Sequence, residues 1–286
     1  MRTRSWLQVG AGEDLSAAMS TGADALIVDL AAIAQDEHHD ALAQTGEWLA
    51  AHRTNVLEAR AVSRWVRIHA LDSGARWRDD LLAVIPSAPD GIVLPRANTP
   101  EVVRQLAAEM YEIEQQSGIE ANSIRILPIV GETAAAALAI PQFAENGHQR
   151  LIGLAWQSEG LARELDTARL LDANGDWSGA FAQVRMQTLL AAKAAGLVAI
   201  DAPPPGTALE TRVSNSRADG FDGMLVTEAA LVSPVNTAFD TRPGVRQSDE
   251  QDDGDPADSL LAGLTVGGKR KFDGERREPA AILRPA

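Results

Sequence analysis

Hydrophobic positions in this chain come in short, nearly unbroken runs. Ala25-Leu-Ile-Val-Asp29, Gly91-Ile-Val-Leu-Pro95 and Ile124-Arg-Ile-Leu-Pro-Ile-Val130 are mostly apolar and rich in β-branched residues. Strands buried on both faces have this composition, as a parallel sheet requires. Eight such segments recur: Ser5–Val9, Ala25–Asp29, Arg64–His69, Gly91–Pro95, Arg125–Val130, Leu151–Trp156, Leu197–Asp201 and Gly223–Thr227. Between most of them lie stretches rich in Ala, Leu, Glu and Arg with helical spacing. Strand alternating with helix eight times predicts an α/β protein, a (β/α)₈ TIM barrel.

Local signals place several helices. Thr99-Pro100-Glu101 supplies an N-cap, a first-turn proline and an acid at the positive end of the helix dipole. That helix is expected to run to about Gln116, with Gly118 as its stop. Phe181–Ala195 reads as another, ended by Gly196, and His38–Ala59 as a long polar-faced stretch on the outer ring.

The rhythm ends near residue 240. Residues 1–240 are expected to form the barrel, 241–259 an acidic flexible linker and 260–286 a C-terminal cap. The linker follows from its Gly, Pro and Ser content and from six acids between Asp249 and Asp258. Asp273-Gly274 is a turn signal that would pair Lys269–Phe272 with Glu275–Glu278 in a hairpin. An ordered cap beyond a flexible connector is expected to reach a neighbouring subunit, so a homo-oligomer is anticipated. The 286 residues fit one barrel of about 250 plus an extension.

Charge and composition exclude some classes. Net charge is −14. A general nucleic-acid binder needs clustered positive charge to displace counterions, so no nucleic-acid partner is expected. A few local arginines remain compatible with an anionic ligand. The absence of cysteine removes disulfides, thiolate nucleophiles and Cys-ligated zinc. Met1–Gly12 has no apolar core of signal-peptide length, and no segment is long enough to span a bilayer. A cytoplasmic protein without a membrane partner is the expectation.

Barrel enzymes hold their chemistry at the C-terminal ends of the strands. At the first strand end, Gly10-Ala-Gly-Glu-Asp14 resembles an anion-cradling turn, although a plain turn accounts for it better. At the second, Asp29 is either a loop-bonding residue or a substrate contact. Arg67, inside the third, needs a carboxylate partner from the protein or from a ligand, because a bare guanidinium is costly to desolvate. The ligand is the favoured partner. His69 reads as a hydrogen-bonded structural histidine rather than a base. Arg96 adds a second cation at the mouth. Glu132, after the fifth strand, is the strongest candidate for a hard-metal ligand or an acid–base group. Its competing reading is a helix-start glutamate that complements the dipole. Glu159 is either a ligand or a first-turn acid, and Asp201-Ala-Pro-Pro-Pro205 is a rigid loop. Arginines and carboxylates together suit an anionic ligand with Mg²⁺.

These strand-end motifs, in order, resemble the HpcH/HpaI aldolase and citrate lyase β-subunit superfamily, in particular its CoA-ester lyases. The likeness runs from about Arg4 to Pro279. It rests on Arg4-Ser-Trp-Leu7, Ser20-Thr-Gly-Ala-Asp-Ala-Leu-Ile-Val-Asp-Leu30, Val66-Arg-Ile-His-Ala-Leu-Asp72 and Pro89-Asp-Gly-Ile-Val-Leu-Pro-Arg96. Glu132-Thr133, Gly153-Leu-Ala-Trp156, Ala194-Ala-Gly-Leu-Val-Ala-Ile-Asp-Ala-Pro203 and Gly220-Phe-Asp-Gly223 complete it. The resemblance implies a TIM barrel that makes or breaks a C–C bond beside a CoA thioester with Mg²⁺. It implies that Arg67 binds the acid substrate and that Glu132 is one of two carboxylates on the metal. It also implies an acid–base residue at Glu278, in the C-terminal hairpin, one methylene longer than the family's aspartate.

The chain departs from the family pattern at several positions. The second metal-ligand position is Gly160, in Gln157-Ser-Glu-Gly-Leu161. Two acids after the second strand are Ala31 and Ala32, the lysine after the fourth is Arg96, and the Ile-His-Pro after the eighth is Val226-Thr-Glu228 with Ala229 in place of proline. Mg²⁺ binding is therefore expected to be weakened, with Gly160→Asp the change that would return the missing ligand.

The expected function is a citrate lyase β-like carbon–carbon lyase, Mg²⁺-assisted, acting on a short-chain carboxylic acid or its CoA ester of the citryl-CoA or malyl-CoA type. Arg67, Glu132 and Glu278 are the catalytic candidates; Arg67, Arg96 and Asp29 the substrate contacts; Glu132 the metal ligand. The alternative is a catalytically impaired paralogue that binds an acyl-CoA or a protein partner. A third reading, a pyruvate-handling aldolase, would show pyruvate formation without CoA.

Overall fold

The structure is a computed structural model that describes residues 3–52, 62–203 and 209–240. Glu278, the linker and the cap lie outside the described residues. Eight strands run in chain order: β1 (Ser5–Gly10), β2 (Ala25–Asp29), β3 (Ser63–Arg67), β4 (Gly91–Leu94), β5 (Arg125–Val130), β6 (Gly153–Trp156), β7 (Val198–Asp201) and β8 (Gly223–Val226). Every neighbouring pair is parallel, and β8 pairs with β1 to close the barrel. Closure leaves no strand edge unpaired. The expected fold class is thus observed.

The helices are α1 (Leu15–Met19), α2 (His38–Ala51), α3 (Arg76–Val84), α4 (Pro100–Gln116), α5 (Ala134–Ala139), α6 (Gln142–Glu145), α7 (Ser158–Glu164), α8 (Gly179–Ala194), α9 (Leu209–Asp219) and α10 (Val232–Asp240). Helix α4 starts at Pro100 behind Thr99, as the N-cap signal predicts. Helix α2 ends at Ala51, and residues 53–59 of the expected longer stretch lie outside the described residues. Among the described residues, no helix is long and apolar enough to cross a membrane.

Two apolar layers sort by strand alternation. Trp6, Ile27, Trp65, Val93, Leu127 and Ile200 belong to the small cluster that fills the barrel. Leu7, Leu26, Val66, Ile92 and Ile126 join the larger one, shared with the helices. The inner layer is tight: Trp6 and Trp65 meet edge-to-face at 5.0 Å. The Trp65 ring lies over Gly91, where a Cβ would come within 2.1 Å of it. Because the apolar residues plug the barrel, the cavity that Arg67 and Glu132 line opens above them, at the C-terminal mouth.

Candidate active site

Asp29 and Arg67 are opposed in register on β2 and β3. Trp65 faces the barrel interior and Val66 the helices, so Arg67 again points inward. The pairing brings Arg67 Nη1 to 2.8 Å from Asp29 Oδ2. That same oxygen accepts from Gln8 Nε2 at 2.8 Å, and Oδ1 accepts from the Ala31 backbone N–H at 2.9 Å. Asp29 is 4% exposed and its oxygens are committed to the protein. It orients Arg67; it is not among the residues lining the mouth cavity. Arg67 therefore has the protein partner that its desolvation demands, yet its Nε is buried without a hydrogen-bond partner.

Glu132 sits beyond β5, ahead of α5, whose N-cap is Thr133. It is not a first-turn glutamate of that helix. Its Oε2 accepts the backbone N–H of Arg96, a residue in the left-handed region with φ 52°. The turn at Arg96 aims a main-chain donor at the carboxylate, and the bond offsets a cost of about 1–2 kcal/mol for that conformation. Burial pushes the Glu132 carboxyl above the ordinary glutamate range. The Arg96 N–H and the charges of Arg67 and Arg96 pull it down only partly, and nearby Glu159 pushes it up.

Arg67, Arg96 and Glu132 line one cavity of about 680 Å³ at the barrel mouth. Arg163 and Glu164 of α7 line it too, giving three guanidinium groups against two carboxyl groups. Glu164 Oε1 is already bonded to the Ala134 N–H at 2.9 Å. Two of these guanidinium groups are already paired, Arg67 with Asp29 and Arg96 with Asp72, so the pocket is mixed in charge. The Arg96 head is half-exposed and reaches Asp72 at 3.0 Å. Glu159 is exposed in the first turn of α7 and is not part of the cavity wall.

Helix α7 lies directly on Glu132. A Cβ added at Gly160 would fall 2.8 Å from Glu132 Cβ and 3.0 Å from its carbonyl oxygen. This corrects the expectation that Gly160→Asp simply returns a metal ligand: no side chain fits there unless α7 moves. The donor set at Glu132 is also thin for Mg²⁺, which wants six oxygens in near-octahedral array. One carboxylate, already holding an N–H and faced by two guanidinium groups, does not fit that demand.

Other strand ends resolve into structure. Asp14 caps α1 by accepting from Ser16 and Ala17, and Glu13 accepts from Gly10 N–H, so that turn satisfies its own donors. Asp201 accepts from Trp156 Nε1, Arg185 and Ser216 at 2.6–3.1 Å, a buried network at the foot of its loop.

A family model for HpcH/HpaI aldolase/citrate lyase matches residues 3–229. The chain belongs to that family. The citrate lyase subunit beta of Escherichia coli K12 is 32% identical over 145 residues, which is 50% of this chain and 44% of the relative. The chain thus aligns with less than half the length of that relative. The Leuconostoc mesenteroides subsp. cremoris citrate lyase subunit beta is 24% identical over 224 residues, 76% of this chain and 70% of the relative. Among solved structures, a Mycobacterium tuberculosis CitE in complex with magnesium and acetoacetate shares the fold at TM-score 0.66, with 24% identity. It covers 83% of this chain and 90% of its own. RipC from Yersinia pestis aligns at TM-score 0.64 with 23% identity, covering 83% and 94%.

Within this citrate lyase-type barrel, the structure gathers Arg67, Arg96 and Glu132 around one cavity and sets Asp29 behind Arg67. Arg163 was not foreseen, because only the packing of α7 against the mouth turns it toward the cavity. Gln8 was missed as well; its alternation inside β1 was the available signal.

Proposed function

We propose that this chain is a carbon–carbon lyase of the citrate lyase β type that acts on a short-chain carboxylic acid or its CoA thioester. One observation carries the reading: Arg67 and Glu132, distant in sequence, face a single cavity at the strand ends of a citrate lyase-family barrel. Solved relatives of the same fold are described with acetoacetate and with coenzyme A, both compatible with that cavity's charge.

In this reading Arg67, stiffened by Asp29, grips the substrate carboxylate. Cleavage beside a thioester leaves an enolate, whose charge must be stabilised where it develops. Mg²⁺ would supply that stabilisation in the family, but the donors around Glu132 do not fit it, so its binding is weakened here. The guanidinium groups of Arg96 and Arg163 take over part of that charge. Glu132, whose carboxyl burial pushes above the ordinary glutamate range, serves as a proton carrier. By the family resemblance, Glu278 is a second proton carrier.

The test is direct. Malyl-CoA or citryl-CoA is incubated with the full chain, with Mg²⁺ or with chelator, and acetyl-CoA release is followed by mass spectrometry. Release that falls at least about 100-fold in Arg67→Ala supports the lyase. No release, together with a thermal shift in acyl-CoA alone, supports the second reading, an impaired paralogue that binds an acyl-CoA. The closed space at Gly160 favours that second reading.

A further inference from the structure

Behind the cavity wall lies a second cluster that the lyase reading does not use. His38 opens α2, His69 follows β3, and Asp80 sits in the second turn of α3. His38 Nε2 is 2.7 Å from Asp80 Oδ1, and His69 Nδ1 is 2.9 Å from Asp80 Oδ2. One ligand-type atom from each residue lies within 4.8 Å of the others. The two imidazole rings meet edge-to-face at 5.0 Å. Three elements far apart in sequence therefore converge on one aspartate.

The burial of Asp80 and the convergence of two imidazoles on it favour a cation there. Asp80 is 0% exposed, and among the described residues it makes ion pairs only with these two imidazoles. A carboxylate taken wholly out of water needs positive charge beside it. His69 turns Nδ1 toward Asp80, while its ring lines the cavity. Asp80 Oδ2 does accept the His69 backbone N–H at 2.7 Å, which explains a carboxylate at this position. It does not explain why a second histidine converges on the same carboxylate.

We propose that His38, His69 and Asp80 form a binding site for a divalent transition metal of the zinc class. Two histidines and one carboxylate are a donor set that borderline ions take and Mg²⁺ does not prefer. Three protein ligands leave a coordination position open, and one of the three, His69, also lines the cavity. The site is separate from Glu132 and stands whether or not the chain is a lyase.

The full chain, stripped with chelator, is titrated with Co²⁺ and followed by its visible absorption, then competed with Zn²⁺. One equivalent taken up by wild type, weakened more than about 100-fold in His38→Gln and kept in Glu132→Gln, is the expected result; that loss exceeds what removing an outer-shell partner usually gives. No uptake by folded wild type overturns the proposal. So does unchanged uptake in His38→Gln, and so does loss in Glu132→Gln, which would place the ion at the family carboxylate. Should His38→Gln fail to fold, X-ray absorption of the zinc-loaded wild type decides: two imidazoles in the shell support the site, and a shell without them refutes it.

Discussion

Glu132 shows how one residue couples stability to chemistry. Burial raises its carboxyl above the ordinary range, so the folded state holds that proton more tightly than the unfolded chain does. Its contribution is therefore most favourable below the usual glutamate pKa and is lost as pH rises through the raised value. Glu132→Gln keeps an acceptor for the Arg96 N–H and removes the buried charge. We expect the variant to melt higher near neutral pH, by about 2–4 °C for each kcal/mol regained, and to lose this part of the pH dependence. Thermal melts across the acid range check it; a lower melting temperature at neutral pH would contradict it. Gly160 makes the opposite case. Gly160→Asp forces a Cβ against Glu132, so it should lower the melting temperature and confer no Mg²⁺ binding in calorimetry. Arg67 and Glu132 were legible in the chain because each is a charge ending an apolar run. The job of Asp29 was not legible, since only strand register decides whether a carboxylate meets a substrate or a neighbouring arginine.

At the scale of elements, a wholly buried ion pair braces the barrel at the other end. Glu114, in the last turn of α4, meets Arg150 in two hydrogen bonds of 2.7 Å, and both side chains are wholly buried. Glu114 also accepts from Asn122 N–H at 2.8 Å, and Arg150 Nη1 donates to the Ile124 carbonyl at 2.9 Å. The pair thus ties α4 to the entry of β5 and to the bridge ahead of β6. Burial alone would raise the Glu114 carboxyl, but Arg150 and the backbone donors outweigh it and hold it below the ordinary range. Its stabilisation is present above the unfolded pKa and is lost as pH falls through the folded one. Glu114→Gln should cost about 3–5 kcal/mol at neutral pH by stranding a buried guanidinium, which urea denaturation would measure. Element positions were largely legible, because apolar runs and caps are local signals. Strand β3 ends at Arg67, two residues before the expected His69, since the His69 N–H turns away to Asp80 instead of to the ladder.

For the whole molecule, we propose that the tail past residue 240 joins protomers, as its hairpin pattern suggests. Truncation after Asp240 should then lower the molecular mass seen by light scattering, and an unchanged assembly would refute it. What the sequence determined by itself was the architecture: eight apolar runs of strand length, each followed by a helix, close into one parallel barrel. It also placed Arg67, Arg96 and Glu132 at the mouth, because strand ends are set by local pattern, but not Arg163 and Glu164 of α7. What only the tertiary structure decided is which of those charges are free. Asp29 is spent on Arg67, α7 closes the space beside Glu132, and Asp80 draws together two histidines from different elements. The physical reason is range. Burial periodicity and capping act over a few residues, whereas a carboxylate's partner depends on which elements the closed barrel sets side by side.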